Sequence, residues 1–178
     1  MNVFEAIEKR YSHKEKFLSD PVPLTQLEQI AKAGITAPSG VNRQTVRLII
    51  LPNRQMIDPI YEITPYDSLA TTPAAIAVMT DNNPQDYLDF QKEDYSAAME
   101  NILLAATALG YSSLWLDYPF SDPERQEAVK KLLQIPDTYR LWAVVPIGKP
   151  DGPGSRREKL PYEARVFYSS FGQMKQNQ

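Results

Sequence analysis

A chain of 178 residues suits a single domain, and with 43% apolar and 23% charged residues it can build a core without metal or disulfide support. It has no cysteine and one histidine, His13, which excludes disulfides, thiolate catalysis, Cys-based zinc sites and any multi-histidine metal cluster. A formal net charge of −3 argues against the broad basic face that nucleic acid requires.

The N-terminal stretch MNVFEAIEKRYSHKEKF lacks the apolar run of a secretion signal. No segment reaches the ~18 consecutive apolar residues of a membrane span. The expectation is a cytoplasmic protein acting on a small molecule, with neither nucleic acid nor membrane as partner. Residues 2–10 read as a short helix with Val3, Phe4 and Ile7 on one face. Residues 24–35 read as a second helix, with Thr25 and Glu28 at capping-box spacing. Pro38 and Gly40 break the pattern before an apolar, β-branched strand at 46–51.

A weaker helix follows around 54–62, then a second strand at 74–80. Residues 85–109 carry the longest helical pattern. From Tyr95 onward it is apolar nearly all round, so it belongs in the core or in a subunit interface, and Gly110 ends it. A third strand is expected at 112–116. Asp122 and Pro123 then read as the cap and first residue of a helix reaching about Leu133, and a fourth strand covers 141–147. Residues 149–163 are rich in Pro, Gly, Arg and Lys and read as an extended tail without a core of its own. The class is α+β, with a four- or five-stranded sheet flanked by helices, in a single domain spanning 1–178.

Four clusters carry polar chemistry. Arg10, Ser12 and Lys14 lie two residues apart, so an extended backbone places two cations and a hydroxyl on one side, a fit for phosphate. Taken alone, a solvated basic turn near a helix C-terminus explains them equally. Ser39, Asn42 and Gln44 supply donors and acceptors on a loop ahead of a strand, where a plain helix-to-strand turn is the simpler reading. Glu93 and Asp94 are neighbours on a helix and do not face each other, so they read as surface or interface charges rather than an acid–base pair. The turn Gly148-Lys149-Pro150 leads to Ser155-Arg156-Arg157-Glu158-Lys159, a basic run that could bring cations to an anionic ligand and is by default a solvated charge run. Neither a Walker A loop nor a GxGxxG fingerprint occurs.

Together and in this order, KRYSHKEKF (9–17), APSGVNRQ (37–44), EDYSAAMENILLAATALGYSSLW (93–115) and VVPIGKP (144–150) resemble the nitroreductase family of flavoproteins. The resemblance implies an FMN-dependent enzyme that takes hydride from NADH or NADPH and passes electrons, in ping-pong fashion, to a nitroaromatic, quinone or similar small acceptor. It implies an obligate homodimer with two active sites across the subunit interface, helix 95–109 at that interface and the tail from about 150 wrapping the partner. Arg10, Ser12 and Lys14 match the family's FMN phosphate and ribityl clamp, completed by Arg156 or Arg157 after the turn containing Gly148. Pro38, Ser39, Asn42 and Gln44 match the loop beside the flavin. No metal is implied, and no side chain is named as catalytic because the flavin carries the chemistry.

The sequence departs from the family pattern at Lys14, where Arg is common, at Thr45 and Val46 in place of Pro and an aromatic, and at His13. The segments that usually roof the substrate are short, which implies an open or differently roofed site. A non-enzymatic FMN-binding module, and flavin-destroying or dehalogenating relatives, share the scaffold.

Overall fold

The apolar strands assemble into one sheet. In the computed structural model, which describes residues 1–81 and 89–175, β1 (Val46–Leu51), β2 (Ala74–Asp81), β3 (Ser112–Ser113) and β4 (Tyr139–Gly148) lie in the order β1-β2-β4-β3, each pair antiparallel. The central strand β2 is apolar from Ala74 to Met79 because both its faces are covered. Its residues alternate, Ala74, Ile76 and Val78 entering one core and Ala75, Ala77 and Met79 the other. Against the first face pack α2 (Leu24–Ile35) through Leu27 and Ile30, and α5 (Gln91–Ala108) through Met99 and Ile102. Against the second pack α3 (Arg54–Ile63), α4 (Asp67–Thr71) and α6 (Pro123–Leu132), through Ile57, Leu69 and Val129.

One irregularity shapes the first core. Val78 pairs with Ala143 and Met79 with Leu141, so Trp142 is an extra residue in β4. The bulge turns Trp142 and Ala143 toward the same side, the α2–α5 face. There the Trp142 indole stacks on the Tyr95 ring, with centroids 4.6 Å apart at 4°, and its Nε1 donates to Thr80 Oγ1 at 2.7 Å.

Helix ends follow local chemistry. The first helix, α1 (Val3–Lys9), is closed by an Asn2–Glu5 capping box, and Asp122 caps α6 by accepting from the Glu124 N–H at 3.0 Å. Gly110 follows α5 at φ 85°, the left-handed position expected of it. The capping box expected at Thr25 and Glu28 does not form. Pro23 occupies the N-cap and its carbonyl takes the Gln26 and Leu27 N–H groups, which leaves Thr25 already inside the first turn.

One further expectation is revised. The ladder of β3 covers only Ser112 and Ser113. Beyond it, Leu114 and Leu116 sink into the second core while Trp115 turns to Tyr95, and a single bond from Val144 N–H to Leu116 O continues the contact. The apolar face of α1 is exposed: Phe4 is 75% exposed, Val3 and Ile7 are exposed, and Ala6 alone is buried. The first part of the long helical pattern, residues 85–88, lies outside the described residues; from Gln91 on, α5 is a core helix. The segment after Pro150 is largely exposed, down to Phe171. No helix among the described residues is long and apolar enough to cross a membrane, and no group of three potential metal ligands occurs among them.

Candidate functional site

Helix α1 stops at Arg10, whose backbone is extended, and the chain then runs beside β3 and the end of β4. Ser12 bridges to Ser113, the His13 N–H donates to Ser113 O at 3.0 Å, and the Leu18 N–H donates to Lys149 O at 2.9 Å. Alternation follows from this extension: His13 and Phe17 point inward, Ser12 and Lys14 outward. The buried His13 ring packs edge-on against Phe17 with centroids 4.6 Å apart, and its Nε2 lies 2.9 Å from Lys16 O. That geometry makes Nε2 the donor, so the ring pins the segment from below.

Above this segment opens a cleft of about 770 Å³. Five cations line it, Arg10, Lys14, Arg156, Arg157 and Lys159, against the two carboxylates Glu8 and Glu100. Arg156 Nη2 donates to Arg10 O at 3.2 Å, joining positions far apart in sequence. The tail approaches closely at Gly154, where any side chain would collide with the Tyr11 ring. Tyr11 OH in turn accepts from Ser112 Oγ at 3.0 Å. The walls and the base of the cleft therefore come from three separate segments.

A second cleft, about 660 Å³, lies between α2 and β1 and is walled by Ala31, Ile35, Val46, Leu48 and Ile50. Pro38, Ser39 and Gln44 stand on its border. The loop carrying them is strained: Val41, Asn42 and Gln44 have φ of 44°, 58° and 52°, and a β-branched residue there is a genuine outlier. Ser39 Oγ accepts from the Gln44 N–H at 2.9 Å, and the Asn42 carboxamide accepts from Gln44 Nε2 at 3.4 Å.

The loop hangs on α5. Asp94 is 1% exposed and accepts from the Gly40 N–H and from Thr45 Oγ1, each at 2.7 Å. A Cβ on Gly40 would collide with the Phe90 ring. The expectation that Glu93 and Asp94 are both surface or interface charges therefore fails for Asp94, which is buried because the loop folds over it.

Beside Asp94 sits an aromatic cluster that the sequence reading did not single out. Tyr95 OH and Trp115 Nε1 both donate to Asp117 Oδ2, at 3.3 and 3.1 Å, and the Arg140 guanidinium lies 4.0 Å above the Trp142 ring. Burial, and then the negative charge of Asp117, push the Tyr95 hydroxyl above the ordinary tyrosine pKa.

Of the ten residues singled out from sequence, Arg10, Ser12, Lys14, Arg156 and Arg157 share the cationic cleft. Pro38, Ser39 and Gln44 share the other cleft, and the two have no lining residue in common. Asn42 is turned toward Gln44 rather than into either. Gly148 lines neither; it is buried in β4, where a Cβ would come within 2.7 Å of Pro73 and 3.0 Å of Phe17. Helix α5 marks the separation. Asp94 anchors the loop and Glu100 meets Arg10, and six helical residues place them about 9 Å apart along the axis and about a third of a turn around it. Glu8 and Glu100 also line the cationic cleft and were not anticipated, since only the packing of α1 near α5 brings them together, whereas Ser155 and Lys159 arrive with the tail run that carries Arg156 and Arg157.

A four-stranded sheet layered by helices on both faces, with a cationic cleft between the N-terminal segment, α5 and the tail, defines an α+β protein. The chain belongs to the nitroreductase family: the pattern of the Nitroreductase family matches residues 7–68 and 64–149. It is 35% identical, over 88% of this chain and 82% of the relative, to a Methanothermobacter thermautotrophicus protein named as an NADH dehydrogenase/NAD(P)H nitroreductase. A similarly named Parabacteroides distasonis crystal structure superposes with a TM-score of 0.82 at 30% identity, covering 96% of this chain and 100% of that one. A Desulfovibrio desulfuricans nitroreductase solved in complex with FMN gives 0.81 at 25% identity, covering 96% and 98%.

Proposed function

We propose that this protein is an FMN-dependent oxidoreductase that works as a homodimer. The observation that carries the reading is the cleft in which Arg10, Lys14, Arg156, Arg157 and Lys159 converge with Ser12. Five cations against two carboxylates suit a doubly charged phosphate, which planar guanidinium forks bind through paired hydrogen bonds. The loop at 38–44 offers the mixed donors and acceptors that the edge of a flavin ring requires, next to an apolar wall for its body. The residues present fit FMN.

Bound there, FMN would supply the redox chemistry, accepting hydride from NADH or NADPH and returning electrons to a nitroaromatic, quinone or similar small acceptor in a ping-pong cycle. The chain's own work is binding and electrostatics. Arg10, Lys14 and the tail arginines neutralise phosphate; Ser12 adds a hydroxyl; Ser39 and Gln44 address the ring edge, with Asn42 bonded to Gln44. No side-chain acid or base is needed, in keeping with a buried His13 engaged in structure.

Dimerisation explains why clamp and loop line separate clefts within one chain: the clamp of one protomer meets the loop of its partner. The exposed Val3, Phe4 and Ile7 of α1 and the exposed tail offer apolar surface for that contact. Mixing a clamp variant, Arg10→Ala, with a loop variant, Ser39→Ala/Gln44→Ala, should then restore one intact site per heterodimer.

The primary test is the visible absorbance of purified protein with FMN, before and after anaerobic NADH or NADPH. Flavin bands that bleach on addition support the reductase and identify its donor. Bands that persist with both nucleotides would move the reading to an FMN-binding module, and absence of bands after incubation with FMN would defeat the clamp.

A further inference from the structure

We infer that Asp94 is a positioning residue that sets the flavin-facing loop, acting from the first turn of α5 through its bonds to Gly40 and Thr45 at the edge of the apolar cleft. The inference rests on the proposed FMN site. Its ground is the way one carboxylate closes both ends of a strained loop: Oδ1 takes the Gly40 N–H and Oδ2 takes the Thr45 hydroxyl, each at 2.7 Å, with Asp94 only 1% exposed. Between those two anchors lie Val41, Asn42 and Gln44, all at positive φ. Such backbone persists only where its surroundings over-determine it. The loop's own side-chain bonds, from the Gln44 N–H to Ser39 Oγ at 2.9 Å and from Gln44 Nε2 to the Asn42 carboxamide at 3.4 Å, lie on an exposed surface, whereas Asp94 ties the loop to the buried side of α5. Phe90, just ahead of α5, closes the space beside Gly40, so the loop has no room to relax toward the helix.

The charge matters as well as the shape. Hydrogen bonds to an ionised acceptor are shorter and about twice as strong as neutral ones, and both bonds here are short. The Asp94 carboxylate also faces the N-terminal end of an 18-residue helix, where negative charge is favoured. It thereby couples the helix to the groups at Ser39 and Gln44 that address the ring.

Three variants test this: Asp94→Asn, Asp94→Ala and Thr45→Val, with Arg10→Ala for contrast. Each is titrated with FMN, and the visible circular dichroism of the bound flavin is recorded at saturation alongside the thermal midpoint of the FMN-free protein. The expected result is a graded loss of FMN affinity, about tenfold or more for Asp94→Ala and smaller for Asp94→Asn and Thr45→Val, with a changed flavin dichroism in all three. Arg10→Ala should lose affinity while the flavin it still binds keeps the wild-type dichroism, because the clamp holds phosphate rather than ring. Wild-type dichroism and affinity in Asp94→Asn and Thr45→Val would overturn the inference while leaving the FMN site standing. A shifted thermal midpoint with unchanged dichroism would likewise overturn it, since that is the mark of a merely structural carboxylate. Should Asp94→Ala fail to fold, the two near-isosteric variants decide. Failure of the wild type to bind FMN would instead defeat the underlying site.

Discussion

Arg10 and Glu100 meet where the end of α1 crosses α5, with Arg10 Nε 3.6 Å from Glu100 Oε1. The Glu100 side chain is 47% exposed, so the pair is weak and leaves the guanidinium available to a stronger anion. Glu100 is thus a competitor for Arg10 inside a cleft proposed to bind phosphate. Arg10→Ala should weaken FMN binding by more than about tenfold, as expected for loss of a hydrogen bond to a charged group worth ~1.5 kcal/mol. Glu100→Gln should tighten it by about two- to fivefold, the modest gain that removing an exposed carboxylate allows. Calorimetric titration with FMN checks both signs, and an unchanged affinity in Arg10→Ala would remove it from the clamp.

Gly40 has Phe90 where a side chain would go, and it begins a loop already bent into positive φ. Gly40→Ala should therefore destabilise the protein by about 1–3 kcal/mol, the usual cost of overpacking, and lower FMN affinity with it. Phe90→Ala opens the same space. In denaturant unfolding, the double variant should lose less stability than the sum of the two single variants. Simple additivity would mean that the two residues do not oppose each other.

Tyr95 makes a prediction about alkaline pH. Burial and Asp117 hold its folded-state pKa above the ordinary tyrosine value of about 10. Its neutral form is therefore the one the fold prefers. The corresponding stability is fully present below the unfolded pKa and is lost as pH rises through the higher folded value. Wild-type stability should fall more steeply above pH ~10 than that of Tyr95→Phe. Asp117→Asn should bring the Tyr95 titration down toward the ordinary value. Difference tyrosinate absorbance between wild type and Tyr95→Phe isolates this residue from the other nine tyrosines; no separation of the two titrations would refute the proposed environment.

Much of the architecture was legible residue by residue. Helix α2 and strand β1 fall where periodicity placed them, because a 3.6-residue stripe and a β-branched run are local signals that packing here reinforces. The same holds for Asp122 and Gly110, whose roles depend on neighbours two or three residues away. Thr25 was misread because Pro23 occupies the N-cap and its carbonyl takes the first free N–H groups, which puts Thr25 inside the helix.

Sequence by itself determined the strands, the principal helices, the order of the polar clusters and, through that order, the family. The alternation of Arg10, Ser12 and Lys14 was also readable, since extended backbone dictates it. Tertiary structure decided what those clusters meet. The union of Arg10 with Arg156, the burial of Asp94 beneath the loop, the placing of Glu100 beside Arg10 and the stacking of Trp142 on Tyr95 all join residues distant in the chain. Local periodicity carries no information about such contacts. They arise when a β-bulge turns a side chain to the other face, or when one helix offers different sides to different segments, and only the packed fold contains those choices.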